Sequence, residues 1–363
     1  MAQSNWGVND AEAVKLWSRK TIHEALKTTY ASRFMGSDSN SLCQIVDDMS
    51  KSSGDRVRNI LRMQLTGSGV QGDSTLEGNE EALVTYTDDL LIDQLRHAVR
   101  SGGKMSEQRV PFEVREEARM ALTDWWADTY DTWFFNQLSG NSAVTDTRLT
   151  GNNAAVAPDS GHQIFAGVAT AESNLSANAT QTFSLAVIDK AVLAARTTTP
   201  VIRPLNNQQE AGKHQFVMFI TPEQHYDLRQ STSDGQYADI QKYALAANAS
   251  ENNPLLSGAI GVYNGVVMHE TSRMFTGAGA SGTANTIGRA VLCGAQAAVM
   301  AFGRGYTQNR MEWVEEMFDY GNQLGVSTGC ICGLKKTRYN SKDFATMVIS
   351  SSHSDAARNA SQR

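Results

Sequence analysis

The sequence is poor in cysteine and has no long apolar run. Its four cysteines, Cys43, Cys293, Cys330 and Cys332, are too few and too scattered for a disulfide framework. No stretch approaches the roughly 20 apolar residues that span a membrane. The amino terminus lacks the basic start and apolar core of a signal peptide. We therefore expect a protein that is made and kept in the cytoplasm, with no membrane partner.

The sequence also lacks an excess of basic residues. It carries 32 lysines and arginines against 38 aspartates and glutamates, for a formal net charge of -6. A protein that wraps a nucleic acid needs a basic surface, so this balance argues against that class. Hydrophobic residues make up 41% of the chain and charged residues 19%, which is typical of a folded globular protein rather than a disordered one.

No catalytic or metal-binding motif is complete. Cys330 and Cys332 could form half of a metal site, but no second pair and no histidine follows at ligand spacing, so we interpret them as buried residues. His269 and Glu270 begin like a zinc-protease helix, but Arg273 stands where the second histidine ligand is needed. We therefore predict a protein that is not an enzyme, with no catalytic residues, no cofactor and no metal.

Two glycine-rich stretches have the spelling of a dinucleotide-binding turn, at residues 67–72 and 277–282. Such a turn needs a helix that opens at its last glycine. A strand-like alternation over residues 57–65 precedes the first stretch, but acidic residues and a second strand-like run at 82–87 follow it. The pattern favours a glycine-rich loop between two strands, and a nucleotide-binding enzyme stays as an alternative. The residues of this predicted tip are Gly67, Gly69, Gly72, Asp73, Glu77, Gly78, Glu80 and Glu81.

A long helix is predicted over residues 112–138. Pro111 supplies a first-turn proline, acidic residues follow in the first turns, and Gly140 comes just after the end. Aromatic residues fall on two sides of this helix, with Trp125 and Trp133 in one stripe and Trp126 and Phe134 in another. A helix with two apolar stripes must be covered from more than one direction.

The rest of the chain mixes predicted helices and strands, which indicates an α+β fold. Helices are predicted at 10–34 and 183–196, and a capping box at Thr221 to Gln224 follows a buried strand at 215–220. Residues 141–181 are weakly patterned and predicted as loop, several strands are predicted between 258 and 349, and residues 350–363 are predicted as a polar tail.

With these elements in place, the chain resembles the major capsid proteins of tailed bacteriophages, most closely those of N-four-like podophages. The resemblance covers about residues 6 to 350. The segments that carry it are Gly69-VQGDSTLEGNEEAL, Ile92-DQLRHAV, Gln108-Arg109, Arg115-EEARMALTDWWADTYDTWFFNQLSG, Gln215-FVMFITPEQHYDL, Gly258-AIGVYNGVVMHE and Ala290-VLCGAQAAVMAFG.

The resemblance implies the HK97-like capsid fold. Residues 1–50 would form an N-terminal arm, and residues 51–104 an extended hairpin called the E-loop, whose tip contacts another subunit. Residues 105–200 would form the peripheral domain, in which the spine helix 112–138 packs through its aromatic residues. Residues 201–304 would form the axial domain, and residues 305–363 would return to the peripheral domain and end in the tail.

The resemblance also implies a function without chemistry. The protein would self-assemble as hexamers and pentamers into an icosahedral shell that encloses double-stranded DNA without sequence-specific binding. Assembly would take place in the cytoplasm of the bacterial host, with scaffold, portal and decoration proteins as possible partners, and the product would be the virion capsid. An encapsulin-like compartment that encloses cargo enzyme is the alternative within the same fold.

Overall fold

A computed structural model gives the structure of residues 29–46, 55–62, 65, 67–73, 75–108, 114–176, 180–207, 213–230, 259–277, 286–303 and 310–354. The helices in these residues are α1 Lys104–Gln108, α2 Val114–Ser139, α3 Thr147–Thr150, α4 Leu185–Thr197 and α5 Pro222–Gln230, with 3-10 turns at Tyr30–Phe34, Ser160–His162 and Glu172–Asn174. The strands are β1 Met35–Gly36, β2 Cys43–Val46, β3 Arg56–Arg62, β4 Thr85–Leu91, β5 Asp93–Arg100, β6 Gln163–Phe165, β7 Leu205–Asn207, β8 Lys213–Ile220, β9 Gly261–Tyr263, β10 Val266–Glu270, β11 Thr276–Gly277, β12 Ile287–Cys293, β13 Ala298–Phe302, β14 Met311–Phe318, β15 Gln323–Lys336, β16 Arg338–Tyr339, β17 Lys342–Asp343 and β18 Thr346–Ser352.

The first sheet is organised around β15, its longest strand. Its order is β1-β2-β13-β15-β14, and β5 pairs with the other edge of β15. All three neighbours of β15 run antiparallel to it. Since β14 pairs with the first half of β15 and β13 with the second half, this strand joins the whole sheet.

The second sheet has the order β6-β18-β12-β8-β10-β9, with β7 on β8 and β11 on β12. Its central strands are buried and rich in Val, Ile, Met and Phe, as expected for strands covered on both faces. The sequence prediction of a strand near residues 215–220 followed by a capping box is confirmed. In that box Gln224 N donates to Thr221 Oγ1 at 3.2 Å, and Thr221 N donates to Gln224 Oε1 at 3.1 Å.

The long helix α2 lies between the two sheets, and it confirms the predicted helix over 112–138 from Val114 onward. Trp126, Trp133 and Phe134 are buried, while Trp125 is half-buried and stacks on His97 with ring centroids 4.5 Å apart. The indole Nε1 of Trp126 donates to Thr328 Oγ1 of β15 at 2.8 Å, and that of Trp133 donates to Arg148 O at 2.9 Å. The helix is thus covered from several directions, as its two aromatic stripes predict.

Arg289 on β12 fixes the carboxyl end of α2. Its Nη1 donates to the carbonyl oxygens of Ser139 and Gly140, each at 3.0 Å, which would otherwise lack helical partners. Its Nε and Nη2 donate to the two carboxylate oxygens of Glu172, at 2.6 and 2.8 Å. The Oγ of Ser350 donates to the same carboxylate at 2.6 Å. One arginine therefore joins the helix end to the second sheet.

Three sequence predictions need correction. Residues 350–363 were predicted as a polar tail, but residues 350–352 are buried in β18, because Ser350 donates to Glu172 and the Oγ of Ser351 accepts from Gln224. A helix was predicted over 10–34, but residues 30–34 form a 3-10 turn whose first amides, on Tyr30 and Ala31, donate to Asp131. The predicted loop 141–181 contains the short strand β6. Residues 1–28, Pro111 and residues 355–363 lie outside the described residues.

The two sheets cross the boundary predicted near residue 304. Strand β13, before that point, belongs to the first sheet, whereas β18, after it, belongs to the second sheet between β6 and β12. Of the long strands after residue 304, β14 and β15 pair within the first sheet, which also contains β5. The pairing partners of a strand are set by residues far along the chain, so a linear boundary does not divide the sheets.

Replacing Arg289 by methionine is expected to destabilise the subunit by about 3 kcal/mol. The substitution removes the ion-pair partner of the Glu172 carboxylate, which keeps only Ser350 among the described residues, and the donor to the carbonyl oxygens of Ser139 and Gly140. Denaturant unfolding monitored by circular dichroism measures this. Arg289→Lys, which keeps the charge but loses the two-pronged contact, should lose less. Equal losses in the two variants would show that the fork geometry is unimportant.

The same substitution is expected to change the pH dependence of stability. Burial acts to raise the pKa of Glu172, but the hydrogen bonds and charge of Arg289 outweigh it, so the pKa lies below its usual value of 4.5. A lowered carboxyl pKa stabilises the fold above that pH, and this stabilisation is lost as the pH falls. The stability difference between wild type and Arg289→Met should therefore shrink as the pH falls below the usual carboxyl pKa of 4.5.

The native cysteines are expected to resist thiol reagents until the chain unfolds. All four are buried, and burial raises the pKa of Cys43 to about 12 and that of Cys293 further still. Only the thiolate reacts appreciably, so labelling by a maleimide at neutral pH should be slow in buffer and complete in denaturant. Rapid labelling of the folded protein would contradict the burial of these side chains.

Candidate functional site

The predicted hairpin is present as a two-stranded antiparallel sheet of β3 and β4. The pairing runs from Arg56 opposite Leu91 to Arg62 opposite Thr85. Its strands differ from the predicted runs 57–65 and 82–87, since β3 ends at Arg62 and β4 begins at Thr85 and continues to Leu91. Between the strands, the described residues 65, 67–73 and 75–84 form a long tip that is exposed except for the half-buried Val70.

The tip buries almost none of its apolar side chains. Leu76 and Leu83 are 60% and 62% exposed, and Ile60 on β3 is 67% exposed. The predicted tip residues are all exposed as well: Gly67, Gly69, Gly72, Asp73, Glu77, Gly78, Glu80 and Glu81. Exposed leucines grouped on a projecting hairpin are characteristic of a surface that contacts another protein.

Glycines and two glutamates shape the tip. Gly69, Gly72 and Gly78 have φ values of 66°, 64° and 89°, a region in which other residues are strained. Glu81 Oε2 accepts from Gly67 N at 2.6 Å, and Glu80 Oε2 accepts from Gly78 N at 2.7 Å. Two of the four acidic side chains therefore hold the backbone of the tip, while Asp73 and Glu77 lie exposed.

The first glycine stretch does not have the form of a nucleotide-binding turn. Residues 67–73 and 75–84 contain turns but no helix, so no helix N-terminus faces a phosphate there. Two carboxylates accept the amides of Gly67 and Gly78, which occupies donors that an anion would need. The second stretch cannot be compared, because residues 278–285 lie outside the described residues.

The hairpin is attached to the body of the subunit through charged residues at its base. Lys335, near the end of β15, pairs with the carboxylate of Asp88 and donates to Asp89 O at 2.8 Å. Arg338 N donates to the other oxygen of Asp88 at 3.2 Å. Beside them, Arg58 and Asp89 form a two-pronged ion pair across β3 and β4.

Asn153 and a small apolar cluster complete the attachment. The side-chain amide of Asn153 accepts from Leu91 N at 3.0 Å and donates to Leu91 O at 2.9 Å, as a neighbouring strand would do. Val57 and Leu90 pack with Val299 and Ala301 of β13. From this base onward β5 leaves the hairpin and pairs with β15.

Sequence reasoning identified the tip but missed its base. The Lys335 and Asp88 pair joins residues 247 positions apart, and no local pattern marks Asn153 as a mimic of a strand. The residues predicted to pack the long helix, Trp125, Trp126, Trp133 and Phe134, do pack within the subunit, so they position the first sheet rather than face a partner.

Within the described ranges, no cluster of His, Cys, Asp and Glu could hold a metal ion, and no helix is long and apolar enough to cross a membrane.

Comparison with known proteins identifies the fold. The family model described as phage capsid protein matches residues 5–354. The chain belongs to the phage capsid protein family. The major capsid protein of Pseudomonas phage KPP25 is 30% identical to it over 93% of this chain and 94% of the relative.

Solved capsid structures have the same fold. The capsid of Ralstonia phage GP4 superposes with a TM-score of 0.79 and 33% identity, over 98% of this chain and 96% of that one. The cyanophage Pam1 capsid, at 21% identity, shares the fold with a TM-score of 0.71 over 97% and 100% of the two chains. The capsid subunit is thus an α+β protein with the HK97-like fold. Neither the encapsulin-like compartment nor the nucleotide-binding enzyme is favoured by this membership, and the N-four-like branch stays a prediction.

The base contacts of the hairpin can be tested by replacing Lys335 with methionine. A hydrogen-bonded charge contributes about 1.5 to 3 kcal/mol, so the amides of β3 and β4 should exchange with deuterium at least about tenfold faster. Helix α2 should exchange as in wild type. The exposed Lys342 provides the matched control, since Lys342→Met should leave both regions unchanged, and a uniform increase across the chain would contradict a local role.

Proposed function

We propose that this capsid subunit assembles as hexamers and pentamers into an icosahedral phage shell, and that its hairpin tip contacts a neighbouring subunit. The observation that carries this proposal is a hairpin whose tip leucines are exposed and which is held to the body through residues of β3 and β4. Two strands alone are marginally stable in water and gain stability from a further packing surface. A second copy of the chain, present at every position of a shell, supplies that surface.

The parts of the subunit take the following roles in this proposal. Residues 1–50 act as an N-terminal arm, 51–104 as the E-loop, 105–200 as the peripheral domain and 201–304 as the axial domain, with 305–363 returning to the body. Strand β5 is the inner end of the E-loop region and belongs to the first sheet, so only β3, β4 and the tip project. The residues proposed to contact the neighbour are Gly67, Gly69, Gly72, Asp73, Glu77, Gly78, Glu80 and Glu81.

The shell encloses double-stranded DNA without reading its sequence, and the subunit is not an enzyme. A net charge of -6 supports this, because an acidic protein does not adhere strongly to packaged phosphate. Assembly takes place in the host cytoplasm before the subunit becomes part of the virion. Scaffold, portal and decoration proteins are the further partners that such assembly would use.

Deleting residues 67–78 is expected to leave a folded subunit that no longer assembles. None of the described residues in this range is buried, and all but the half-buried Val70 are exposed, so circular dichroism and thermal unfolding should match wild type. Sedimentation and negative-stain electron microscopy should show particles for wild type, expressed alone or with its scaffold, and only small species for the deletion. Loss of the soluble subunit would place the segment in the core, and normal particles would refute the role of the tip.

A further inference from the structure

One face of the first sheet carries two exposed arginines of β5 beside a row of small residues in β15. Arg96, Ala98 and Arg100 of β5 lie opposite Gly329, Ser327 and Gly325 of β15. Residues directly opposite in a ladder project on the same side of the sheet. We call these six residues the β5–β15 face.

The two sides of this sheet have different environments. On the inner side, Val99, Val326 and Trp313 pack against α2. On the β5–β15 face, Arg96, Ala98 and Arg100 are exposed. Neighbouring side chains occupy the space beside the two glycines. At Gly329 this neighbour is Arg96, whose Cγ would lie only 3.0 Å from a Cβ added to the glycine. The stem of Arg96 therefore lies across the glycine row, and its charged end remains in solvent.

Ring contacts hold the second arginine in place. The guanidinium of Arg100 lies over the ring of Phe318, 4.3 Å from its centroid, and that ring lies against Gly325. Such a stacked guanidinium still presents its N–H donors at its edges. The β5–β15 face thus offers two positioned cations on either side of the exposed Ala98, while Phe318 and Arg96 already cover Gly325 and Gly329.

The hairpin tip has the complementary chemistry. From residue 65 to residue 84 the sequence contains four acidic residues and no lysine or arginine. The backbone of the tip uses Glu80 and Glu81, but within the described residues Asp73 and Glu77 have no ion-pair partner. Leu76 stands between them and is exposed.

We propose that the hairpin tip of one subunit docks on the β5–β15 face of a second copy, with Asp73 and Glu77 paired to Arg96 and Arg100. Leu76 then covers the exposed Ala98. This docking rests on the function proposed above, because it needs many copies of the chain side by side. It supplies the packing surface that the exposed hairpin lacks within its own subunit.

Two further residues favour a protein partner over DNA on this face. Glu312 and Glu316 of β14 lie opposite Gly329 and Gly325, so they project on the same side as the two arginines. Two strand spacings, about 10 Å, separate the acidic row from the basic row. A polyphosphate laid across the face would meet both rows, whereas a narrow acidic tip can lie along β5 alone.

A charge exchange tests the pairing without disturbing the tip backbone. Arg96→Glu with Arg100→Glu, and separately Asp73→Lys with Glu77→Lys, should each reduce the fraction of subunit sedimenting as particles at least about tenfold. This corresponds to a loss of about 1.4 kcal/mol or more per docked tip, because each double substitution replaces two ion pairs by two like-charge contacts. The chain that carries all four substitutions should recover to within about twofold of wild type. Lys342→Glu is the matched control on another exposed surface and should assemble normally.

Chemical crosslinking tests the contact directly. Glu77→Cys with Ala98→Cys, in assembled particles treated with a short bis-maleimide, should give a ladder of covalent multimers, because the native cysteines are buried. Glu77→Cys with Leu193→Cys places the second thiol on an exposed position of α4 and should give no ladder. A crosslink within single chains, or a ladder only in the control, would overturn the docking.

The outcomes separate this docking from the function on which it rests. If the deletion of residues 67–78 stops assembly but the four-substitution chain does not recover, the shell function stands and the docking surface is wrong. If wild type forms no particles even with its scaffold, the function itself fails. If Arg96→Glu with Arg100→Glu assembles normally but lowers the affinity of the particles for DNA, the face binds nucleic acid and the docking is refuted.

Discussion

The hydrogen-bond ladder along β15 is the constraint on which the rest of the subunit depends. Its 14 residues pair with β5, β13 and β14. One side of the strand packs on α2, where Thr328 accepts from the buried indole of Trp126. At its far end Lys335 holds the hairpin. A strand of this length with neighbours on both edges cannot shift by one residue without exposing its buried side chains, so its register fixes the position of Lys335 at the base of the hairpin.

The subunit thus has a well-packed body and an exposed hairpin tip, which we propose packs on a second copy of the chain. The body has buried strands, a helix enclosed by aromatic side chains and an arginine that joins the helix end to the second sheet. The hairpin has ionic and polar contacts at its base and exposed leucines at its tip. Because local stability follows the number of buried contacts, the tip is the region that another subunit can order at the least cost to the fold.

Much of the body could be predicted from the sequence, because its signals are local. The long helix has proline and glycine at its ends and a two-sided aromatic pattern, and the capping box at Thr221 is read from four residues. The pairing of β5 with β15 and the burial of Ser350 could not be predicted, since both depend on partners far along the chain. The predicted start of the second hairpin strand was wrong for a related reason. Leu83 and Val84 are residue types that strands favour, but their side chains are 62% and 48% exposed, and β4 begins only at Thr85.

Weak contacts at the tip are consistent with the needs of a closed shell. In the proposed docking, each exposed ion pair contributes about 1 kcal/mol or less, and a leucine that covers an alanine adds a small hydrophobic term. When one subunit gives its tip to a neighbour and receives another tip, these small terms are repeated around every ring. Repetition makes the closed ring much more stable than any single contact, whereas a misplaced subunit that makes one contact can dissociate. A tip of glycines, leucines and acidic residues therefore serves assembly better than a large apolar surface, which would hold misplaced subunits as firmly as correct ones.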